Sequence, residues 1–197
     1  MSEATPAPDG ARLAPDAAPD GARLAPDPAP DGARRVPDAD DGEARALAAL
    51  DASGLRYRIT RHAPVRSLAE AAAARQLRPE QLVKTLVVRR AEDDFLFVLV
   101  PGGCTISWPK LRALLGVTRL SMPDADVARQ VTGYERGTIT PFGAATALPV
   151  IADARVAGQA VSIGAGAHGV AATVDGSRLV IALGATVADV TEPESQD

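Results

Sequence analysis

The chain has 197 residues, 46% of them apolar and 3% aromatic, a size that allows one domain or at most a small pair. It carries 21 Lys and Arg against 25 Asp and Glu, and its apolar runs fall short of the roughly 20 residues that a membrane span needs, so we expect a soluble protein without a membrane partner. Because Cys104 is the only cysteine, an internal disulfide and a metal cluster built on thiolates are excluded.

The first 41 residues form a segment rich in Pro, Ala and Asp that we expect to be disordered. The motif Ala7-Pro8-Asp9-Gly10 recurs at Ala18 and Ala29, a period of 11 residues, and eight of the 16 prolines precede residue 39. Prolines remove amide donors and prevent the supercoiled helix that such a period can form. The start of the segment lacks the basic region and apolar core of an export signal, which favours a cytoplasmic location.

Charge divides the chain in the same way. Residues 1–41 hold 4 Arg and 9 acidic residues, whereas residues 42–192, the predicted folded domain, hold 17 basic and 14 acidic residues. Residues 193–197 form a short acidic tail. A net charge of +3 on the domain permits a phosphate-bearing partner without requiring one.

The first elements of the domain are a helix, a strand and a second helix. The first helix ends near Gly54, and a short strand follows at residues 57–59. Ser67-Leu68-Ala69-Glu70 is a capping box, in which the serine and glutamate side chains accept hydrogen bonds from amides at the start of a helix. We expect this helix to run to about Leu77, because Pro79 prevents a longer one.

The later elements alternate irregularly between strand and helix. They are a hairpin of Val83 to Arg90 with Asp94 to Val100, a helix from Trp108 to Leu115 closed by Gly116, a helix from about Ser121 to Gly133, strands at 150–153, 160–163, 169–174 and about 187–190, and a helix at 177–183. This order predicts an α+β fold with a mixed, partly closed and barrel-like sheet and surrounding helices.

A glycine-rich run between two of these strands has the letters of a dinucleotide-binding fingerprint. Gly164-Ala165-Gly166-Ala167-His168-Gly169 is followed by an extended pattern, whereas the fingerprint needs a helix that opens at the glycines. We interpret the run as a tight hairpin, or as a turn that lets the backbone approach a ligand.

Other kinds of active site have little support. The two histidines, His62 and His168, have no third metal ligand at a recognisable spacing, so we expect no metal and no cofactor. A Ser-His-Asp triad stays open because its members meet only in space, but there is no G-x-S-x-G elbow. Cys104 follows Pro101-Gly102-Gly103 and is either a nucleophile or, as we prefer, a small apolar residue in a turn.

Lysine usage singles out one residue. The chain uses Arg for 19 of its 21 basic residues, and only Lys84 and Lys110 are lysines. Strand alternation puts Lys84 on the same side as Leu86 and Val88, an apolar side. An ammonium group there must reach water at the strand end or find a carboxylate or ligand.

A long loop at residues 132–143 is the second candidate. It contains three glycines and a proline, and loops of this length in compact domains are usually functional or disordered. Pro141 fixes its own φ and biases Thr140 to an extended conformation, so the loop can present amides in fixed directions, although a purely structural connection is equally open.

These segments together resemble the YbaK/ProX family of aminoacyl-tRNA editing domains, which also occur inserted in bacterial prolyl-tRNA synthetases. The resemblance covers about Ala44 to Val190. It rests on His62-Ala63-Pro64, Val83-Lys84-Thr85-Leu86, Thr132-Gly133-Tyr134 followed by Gly137-x-x-x-Pro141-x-Gly143, Leu148-Pro149-x-Ile151-x-Asp153, and Ser162-x-Gly164-x-Gly166.

The resemblance implies a trans-editing hydrolase that removes a wrong amino acid from tRNA, with the acceptor end of tRNA and prolyl-tRNA synthetase as partners and no DNA partner. It implies a catalytic set of Lys84, Gly137, Pro141 and Asp153, and substrate contacts at His62, Tyr134, Thr138, Ile139, Thr140, Ser162, Gly164 and Gly166. Some relatives have a second glycine at the position of Thr138, which leaves the path of the loop open.

The function implied is deacylation of tRNA for proline that carries Cys or Ala. An aminoacyl ester is already activated, so its cleavage needs an oriented attacking group and donors to the developing oxyanion rather than a metal. The attacking group is water, oriented by the ribose hydroxyl, or the thiol of a cysteinyl substrate. Two alternatives stay open: a non-catalytic module that binds the tRNA end or a synthetase, and an enzyme acting on another ester.

Overall fold

The structure, a computed structural model, describes residues 39–194, with side chains from Gly42 onward. The predicted disorder of the repeat segment, and the last residues of the acidic tail, lie outside the described residues. Helix α1 spans Ala39–Ala52, so it starts three residues before the predicted domain boundary at residue 42. Its buried face presents Ala46 and Leu50 to the main hydrophobic core.

Nine strands form three sheets within residues 39–194. The first sheet is antiparallel and has the order β1-β7-β6, with β1 at Tyr57–Arg61, β6 at Ala160–Gly164 and β7 at Val170–Asp175. The second has the order β2-β3-β5-β8, with β2 at Val83–Ala91, β3 at Asp94–Pro101, β5 at Val150–Asp153 and β8 at Thr186–Ala188. A short antiparallel pair joins β4 at Cys104–Ile106 to β9 at Thr191–Pro193.

The second sheet is mixed and carries the centre of the core. Strands β2 and β3 are antiparallel, whereas β3 with β5 and β5 with β8 are parallel. Strand β3 is covered on both faces, because Phe97 and Leu99 pack into one apolar cluster while Val98 and Val100 pack into another. This double coverage explains why β3 is a continuous apolar run rather than an alternating one.

Helices α2 to α5 span Leu68–Ala74, Trp108–Leu115, Ala125–Thr132 and Gly176–Ala182. The predicted capping of α2 is confirmed, since Ser67 Oγ accepts from the Glu70 amide at 3.1 Å. The Glu70 carboxylate accepts from the Arg66 amide at 2.7 Å, one residue before the expected donor. Helix α2 ends earlier than predicted because Gln76 has a φ of 57°, which stops helical hydrogen bonding.

The two larger sheets meet at the start of β2. A parallel bridge joins Leu82, which directly precedes β2, to Ser162 in β6. The edge strand of the second sheet therefore begins beside β6 of the first. The predicted mixed α+β arrangement is confirmed. None of the sheets in residues 39–194 closes on itself, and the barrel-like detail stays a prediction. No helix in this part of the chain has the length and apolarity to cross a membrane.

Candidate active site

A cavity of about 640 Å³ lies where β2 separates from the first sheet. Its walls come from β2, the turn between β6 and β7, the loop after α4, the start of α4, and α2 with its C-cap. Clefts of a few hundred to about 1,000 Å³ are typical of small-ligand sites. This cavity is therefore the candidate functional site.

The free edge of β2 forms one wall. The Leu82 carbonyl accepts a hydrogen bond from the Gly102 amide at 2.6 Å, which fixes the even-numbered residues of β2 as those that bond to β3. The backbone groups of Thr85 and Val87 therefore point away from β3. Thr85 is only 9% exposed and also lines the cavity. Its hydroxyl has no hydrogen-bond partner among the described residues, so this wall offers unused polar groups.

Lys84 also lines the cavity. Its side chain is 37% exposed, and its Nζ lies 3.6 Å from Glu194 Oε2, a residue that is itself 58% exposed. Exposed pairs of this kind contribute little to stability, and solvent screens them. Glu194 therefore does not hold the ammonium group firmly, and another anionic or carbonyl group can replace it.

The loop after α4 presents Gly137 to the cavity through a tight turn. The Thr138 amide donates to the Glu135 carbonyl at 3.0 Å, and Gly137, at the third position, has a φ of 91°. A type II turn requires this positive φ, which favours glycine. Thr138 closes the turn, is buried, and donates its hydroxyl to the same carbonyl at 2.9 Å. No second glycine is needed at 138.

Side chains from elsewhere hold the loop rigidly. Tyr134 is 1% exposed and donates its hydroxyl to the Phe142 carbonyl at 2.6 Å. Burial raises the pKa of Tyr134, although the nearby Arg45 opposes this shift. Arg45 of α1 donates to the carbonyls of Gly133 at 2.9 Å and Gly143 at 3.2 Å. Tyr134 thus holds the loop from inside the core and does not line the cavity.

Three amides of this loop are unused. The amides of Arg136, Gly137 and Ile139 donate to no acceptor in residues 39–194, and all three residues line the cavity. Backbone amides in a fixed turn are suited to stabilising a negatively charged oxygen.

Arg75, the C-cap of α2, forms another part of the wall. Its Nε lies 3.4 Å from His62 Nε2, and its Nη1 donates to Ser162 Oγ at 3.3 Å. Burial lowers the pKa of the Arg75 guanidinium, but an arginine stays charged at neutral pH.

Asp153 lies in a different environment. It is 0% exposed and does not line the cavity. Its carboxylate accepts from Arg155 Nε at 2.8 Å, Thr191 Oγ1 at 2.7 Å and the Val190 amide at 3.2 Å. Burial alone would raise the pKa of Asp153, but these hydrogen bonds outweigh it and the net shift is downward.

The structure thus brings together part of the predicted site. Four predicted residues line the cavity: Lys84, Gly137, Ile139 and Gly164. Four others contact lining residues or the glycine-rich turn: His62 and Ser162 bind Arg75, and the Thr138 carbonyl accepts from the Gly166 amide at 3.2 Å. Tyr134, Thr140, Pro141 and Asp153 are not part of the lining, and their functional roles stay predictions.

Sequence reasoning missed Arg75, Arg136 and Thr85. Thr85 follows Lys84 directly, and Arg136 precedes Gly137, so both adjoin residues that the motifs selected. Arg75 follows an alanine-rich helix, where a basic residue normally indicates only a solvated end. Only the contacts of Arg75 with His62 and Ser162 in the folded chain indicate that this residue belongs to the site.

The prediction for the glycine-rich run can also be compared with the structure. Residues 160–164 and 170–175 pair in antiparallel fashion, which confirms the interpretation of the glycine-rich run as a hairpin. Within residues 39–194, His, Cys, Asp and Glu side chains form no group of three or more suited to a metal ion.

Comparison with known proteins identifies relatives. The family described as "Aminoacyl-tRNA editing domain" matches residues 62–180. Proline–tRNA ligases of Syntrophotalea carbinolica and Geobacter sp. strain M21 are 36% and 33% identical over 95 and 94 residues, 48% of this chain in each case. The matched region spans only 16% of the length of each ligase.

Solved structures extend this similarity to the fold. A structure described as "a putative trans-editing enzyme for prolyl tRNA synthetase" is 28% identical with a TM-score of 0.70 and covers 77% of this chain and 97% of its own. A second, described as "hypothetical protein APE2540", is 27% identical with a TM-score of 0.69 and covers 75% of this chain and 99% of its own.

Proposed function

The chain belongs to the aminoacyl-tRNA editing domain family, and from this premise we propose that it is a deacylase that hydrolyses the ester of mischarged tRNA. One observation carries the proposal. A single cavity is lined by Lys84, Arg136, Gly137 and Ile139, and the backbone amides of the last three donate to no acceptor among the described residues.

The geometry supports the electrostatic part of this reaction. When a nucleophile attacks the ester carbonyl, the carbonyl oxygen gains negative charge and the carbon becomes tetrahedral. Amides in the rigid turn at Gly137 are suited to donate to that oxygen, and their fixed orientation avoids reorganisation during the reaction. The Lys84 ammonium adds a positive charge to the same cavity. The ribose oxygen then leaves with a proton, and the free amino acid is released.

The attacking group is water or, for a cysteinyl ester, the substrate's own thiol. In the second case the ribose oxygen leaves from a cyclic thioester of cysteine, and water then hydrolyses that thioester to the free amino acid. The ester is reactive enough that holding either group near the carbonyl accounts for a large part of the rate enhancement. We assign Asp153, Pro141, Tyr134 and Thr140 to the support of this site, since none of them lines the cavity.

The proposed substrate is tRNA for proline that carries Cys or Ala. The names of the relatives, proline–tRNA ligase and trans-editing enzyme for prolyl tRNA synthetase, support this choice. We propose that the protein acts in the cytoplasm on the acceptor end of the tRNA after the synthetase has released it. One binding step separates amino acids of similar size only about 10- to 200-fold, so selection by the synthetase alone is incomplete. A narrow amino-acid subsite in the editing domain, which excludes the prolyl ring, would supply a second selection.

Deacylation of tRNAs charged with Ala, Cys, Ser, Thr and Pro tests the proposal. We expect release of Ala or Cys and retention of Pro. Saturable tRNA binding without any hydrolysis would instead favour the non-catalytic module, and cleavage of small esters without competition from tRNA would favour a different esterase.

The two lysines provide a matched pair of variants. Lys84→Ala should lower kcat/KM by about 100-fold, the effect of removing one transition-state donor. Lys110→Ala should leave it unchanged, because Lys110 Nζ binds Asp189 at 2.8 Å and Lys110 is not among the cavity-lining residues. Full turnover by a folded Lys84→Ala protein would remove Lys84 from the mechanism.

A further inference from the structure

We infer that Arg75 binds a backbone phosphate at the 3′ end of the tRNA, and that His62 and Ser162 position its guanidinium for this contact. The inference rests on the proposed function and assigns to the same cavity a second task, which is to hold the nucleic acid rather than to break the ester.

The first observation is that Arg75 lines the cavity with its charge unneutralised. Residues 42–194 contain eight close ion pairs of Lys or Arg with Asp or Glu, and none of them involves Arg75. Its side chain is nevertheless half-buried, beside His62 and Ser162. A charged group that is half-buried without a counterion is costly unless a ligand supplies one.

The second observation is that the guanidinium is held in one orientation. His62 Nδ1 lies 2.8 Å from the Ala63 carbonyl, an acceptor, so Nδ1 must carry the proton of the neutral ring. This tautomer leaves Nε2 as an acceptor for Arg75 Nε at 3.4 Å. Ser162, which is 0% exposed, accepts from Nη1 at 3.3 Å.

These contacts leave part of the guanidinium free. A guanidinium has five N–H groups, and His62 and Ser162 use at most three of them. The remaining ones can form the paired hydrogen bonds by which arginine recognises a phosphate. Pre-organisation by His62 and Ser162 lowers the conformational entropy that the side chain would lose on binding.

The third observation is the charge around the cavity. Its lining contains Arg75, Lys84 and Arg136 but only one acidic residue, Asp124, whose carboxylate already accepts from the Val127 amide at 2.8 Å. The segment from residue 56 to residue 90, which supplies β1, α2 and β2, holds nine basic and two acidic residues. The surroundings therefore favour an anion.

The chemistry of the substrate identifies that anion. In an aminoacyl ester the carboxyl group of the amino acid is esterified and its amino group is cationic at neutral pH. The remaining anions of the acceptor end are its phosphodiesters. A phosphate adjoining the terminal adenosine is therefore the group that Arg75 can bind while the ester reaches Lys84 and the Gly137 turn.

A comparison of substrates with and without a phosphate tests this inference. Arg75→Ala should lower kcat/KM on aminoacyl-tRNA by about 10- to 100-fold, mainly through KM, the range expected for one hydrogen-bonded charge contact. On 2′(3′)-O-aminoacyl adenosine, which has no phosphate, it should change kcat/KM less than twofold. Arg75→Lys keeps the charge but not the paired donors and should lie between Arg75→Ala and the wild type.

Arg78→Ala is the matched control. Arg78 is three residues away, its side chain is 71% exposed, and it pairs with Glu80 at 3.8 Å. We expect no more than a twofold change on either substrate. Ser162→Ala should shift KM in the same direction as Arg75→Ala, to a smaller extent, and only on aminoacyl-tRNA.

Binding gives a readout that does not depend on catalysis. The trinucleotide CCA contains two phosphodiesters, and Arg75→Ala should weaken its binding and lower the slope of log Kd against log salt by about 0.7, the value for one contact to a single strand. The melting temperature of each variant controls for folding, and Arg75→Lys serves if Arg75→Ala does not fold.

Three results would overturn the inference. They are equal losses on the two substrates, no loss on either, and an unchanged affinity for CCA. If the wild-type protein hydrolyses neither substrate, the proposed function fails, and binding of CCA still decides whether Arg75 contacts a phosphate.

Discussion

Asp153 illustrates how a motif position can serve stability. Its carboxylate connects the end of β5 to the amide of Val190 and the hydroxyl of Thr191, which opens β9. Arg155 donates hydrogen bonds to the carboxylate from Nε and Nη2, and its Nη1 lies 3.3 Å from Cys104 Sγ. Removal of the negative charge would leave these donors without their acceptor in a buried setting, which is costly.

We therefore expect Asp153→Asn to lower the free energy of unfolding by about 1–3 kcal/mol at pH 7. Because the folded-state pKa lies below that of the unfolded chain, near 3.9, the contribution of the ionised carboxylate is complete above about pH 5. It is lost as the pH falls through the folded-state pKa, so the difference between the two proteins should shrink on acidification. Urea denaturation at pH 7 and pH 3 measures this.

Asp189→Asn is the control for that experiment. Asp189 is 64% exposed and should contribute less than about 1 kcal/mol at either pH. The same variants separate stability from chemistry. A folded Asp153→Asn protein that loses most of its kcat at pH 7 would give Asp153 a part in catalysis, whereas we expect kcat within twofold of the wild type.

At the scale of elements, the glycine-rich turn between β6 and β7 depends on close contact with α1. A Cβ atom on Gly166 would lie 2.2 Å from the Gly42 carbonyl oxygen, and a Cβ atom on Gly42 would lie 2.4 Å from the Gly166 oxygen. Each glycine therefore makes room for the other. Because Gly164, Ala167 and Gly169 of this turn line the cavity, the contact also fixes one of its walls.

Gly166→Ala should destabilise the fold through two effects. The φ of 82° disfavours any residue with a Cβ atom, a cost of about 1–3 kcal/mol, and the contact with Gly42 adds a clash. Gly158→Ala separates the two, because Gly158 has a φ of 80° and no atom within 4 Å of the added Cβ. Thermal unfolding should show a larger loss for Gly166→Ala. Equal losses would contradict the packing argument.

The sequence predicts a feature well when the residues that form it are close together along the chain, and poorly when they are far apart. Local signals sufficed for the cap at Ser67 and for Gly116 and Gly133, which end α3 and α4 with positive φ values of 64° and 73°. Hydrogen bonds between near neighbours determine such features, and residue preferences record them.

The site required long-range contacts that no local pattern records. The bridge from Leu82 to Ser162 joins residues 80 positions apart, and it brings Ser162 to Arg75. For Tyr134, the motif gave the residue but not its orientation, since it could not tell whether the ring faces a ligand or the core. In the structure the ring is buried in the core. The order of the motifs indicated Lys84 and Gly137, but it did not indicate Arg75, which lines the same cavity.

At the scale of the whole molecule, α1 links the start of the described chain to the site. Arg45 donates to Gly133 and Gly143, and its guanidinium lies 5.0 Å from the centre of the Tyr134 ring. Ala46 and Leu50 are fully buried. The domain therefore needs α1, and a boundary inside this helix would affect the loop that carries Gly137.

Two truncations test this boundary. Removal of residues 1–38 should leave the melting temperature and kcat unchanged, because the composition of this Pro-rich repeat segment predicts disorder. Removal of residues 1–46 deletes Arg45 and Ala46 and should lower both quantities, since the loop loses its partner and the core loses a fully buried residue. A large effect of the shorter deletion would show that the repeat segment contributes to folding or catalysis.

The contact between Lys84 and Glu194 has a consequence for engineering. Glu194 follows β9 and is exposed, so a segment attached after this residue leaves the domain beside one wall of the cavity. We therefore expect a fusion partner or affinity tag joined after Glu194 to alter the surroundings of the Lys84 ammonium group.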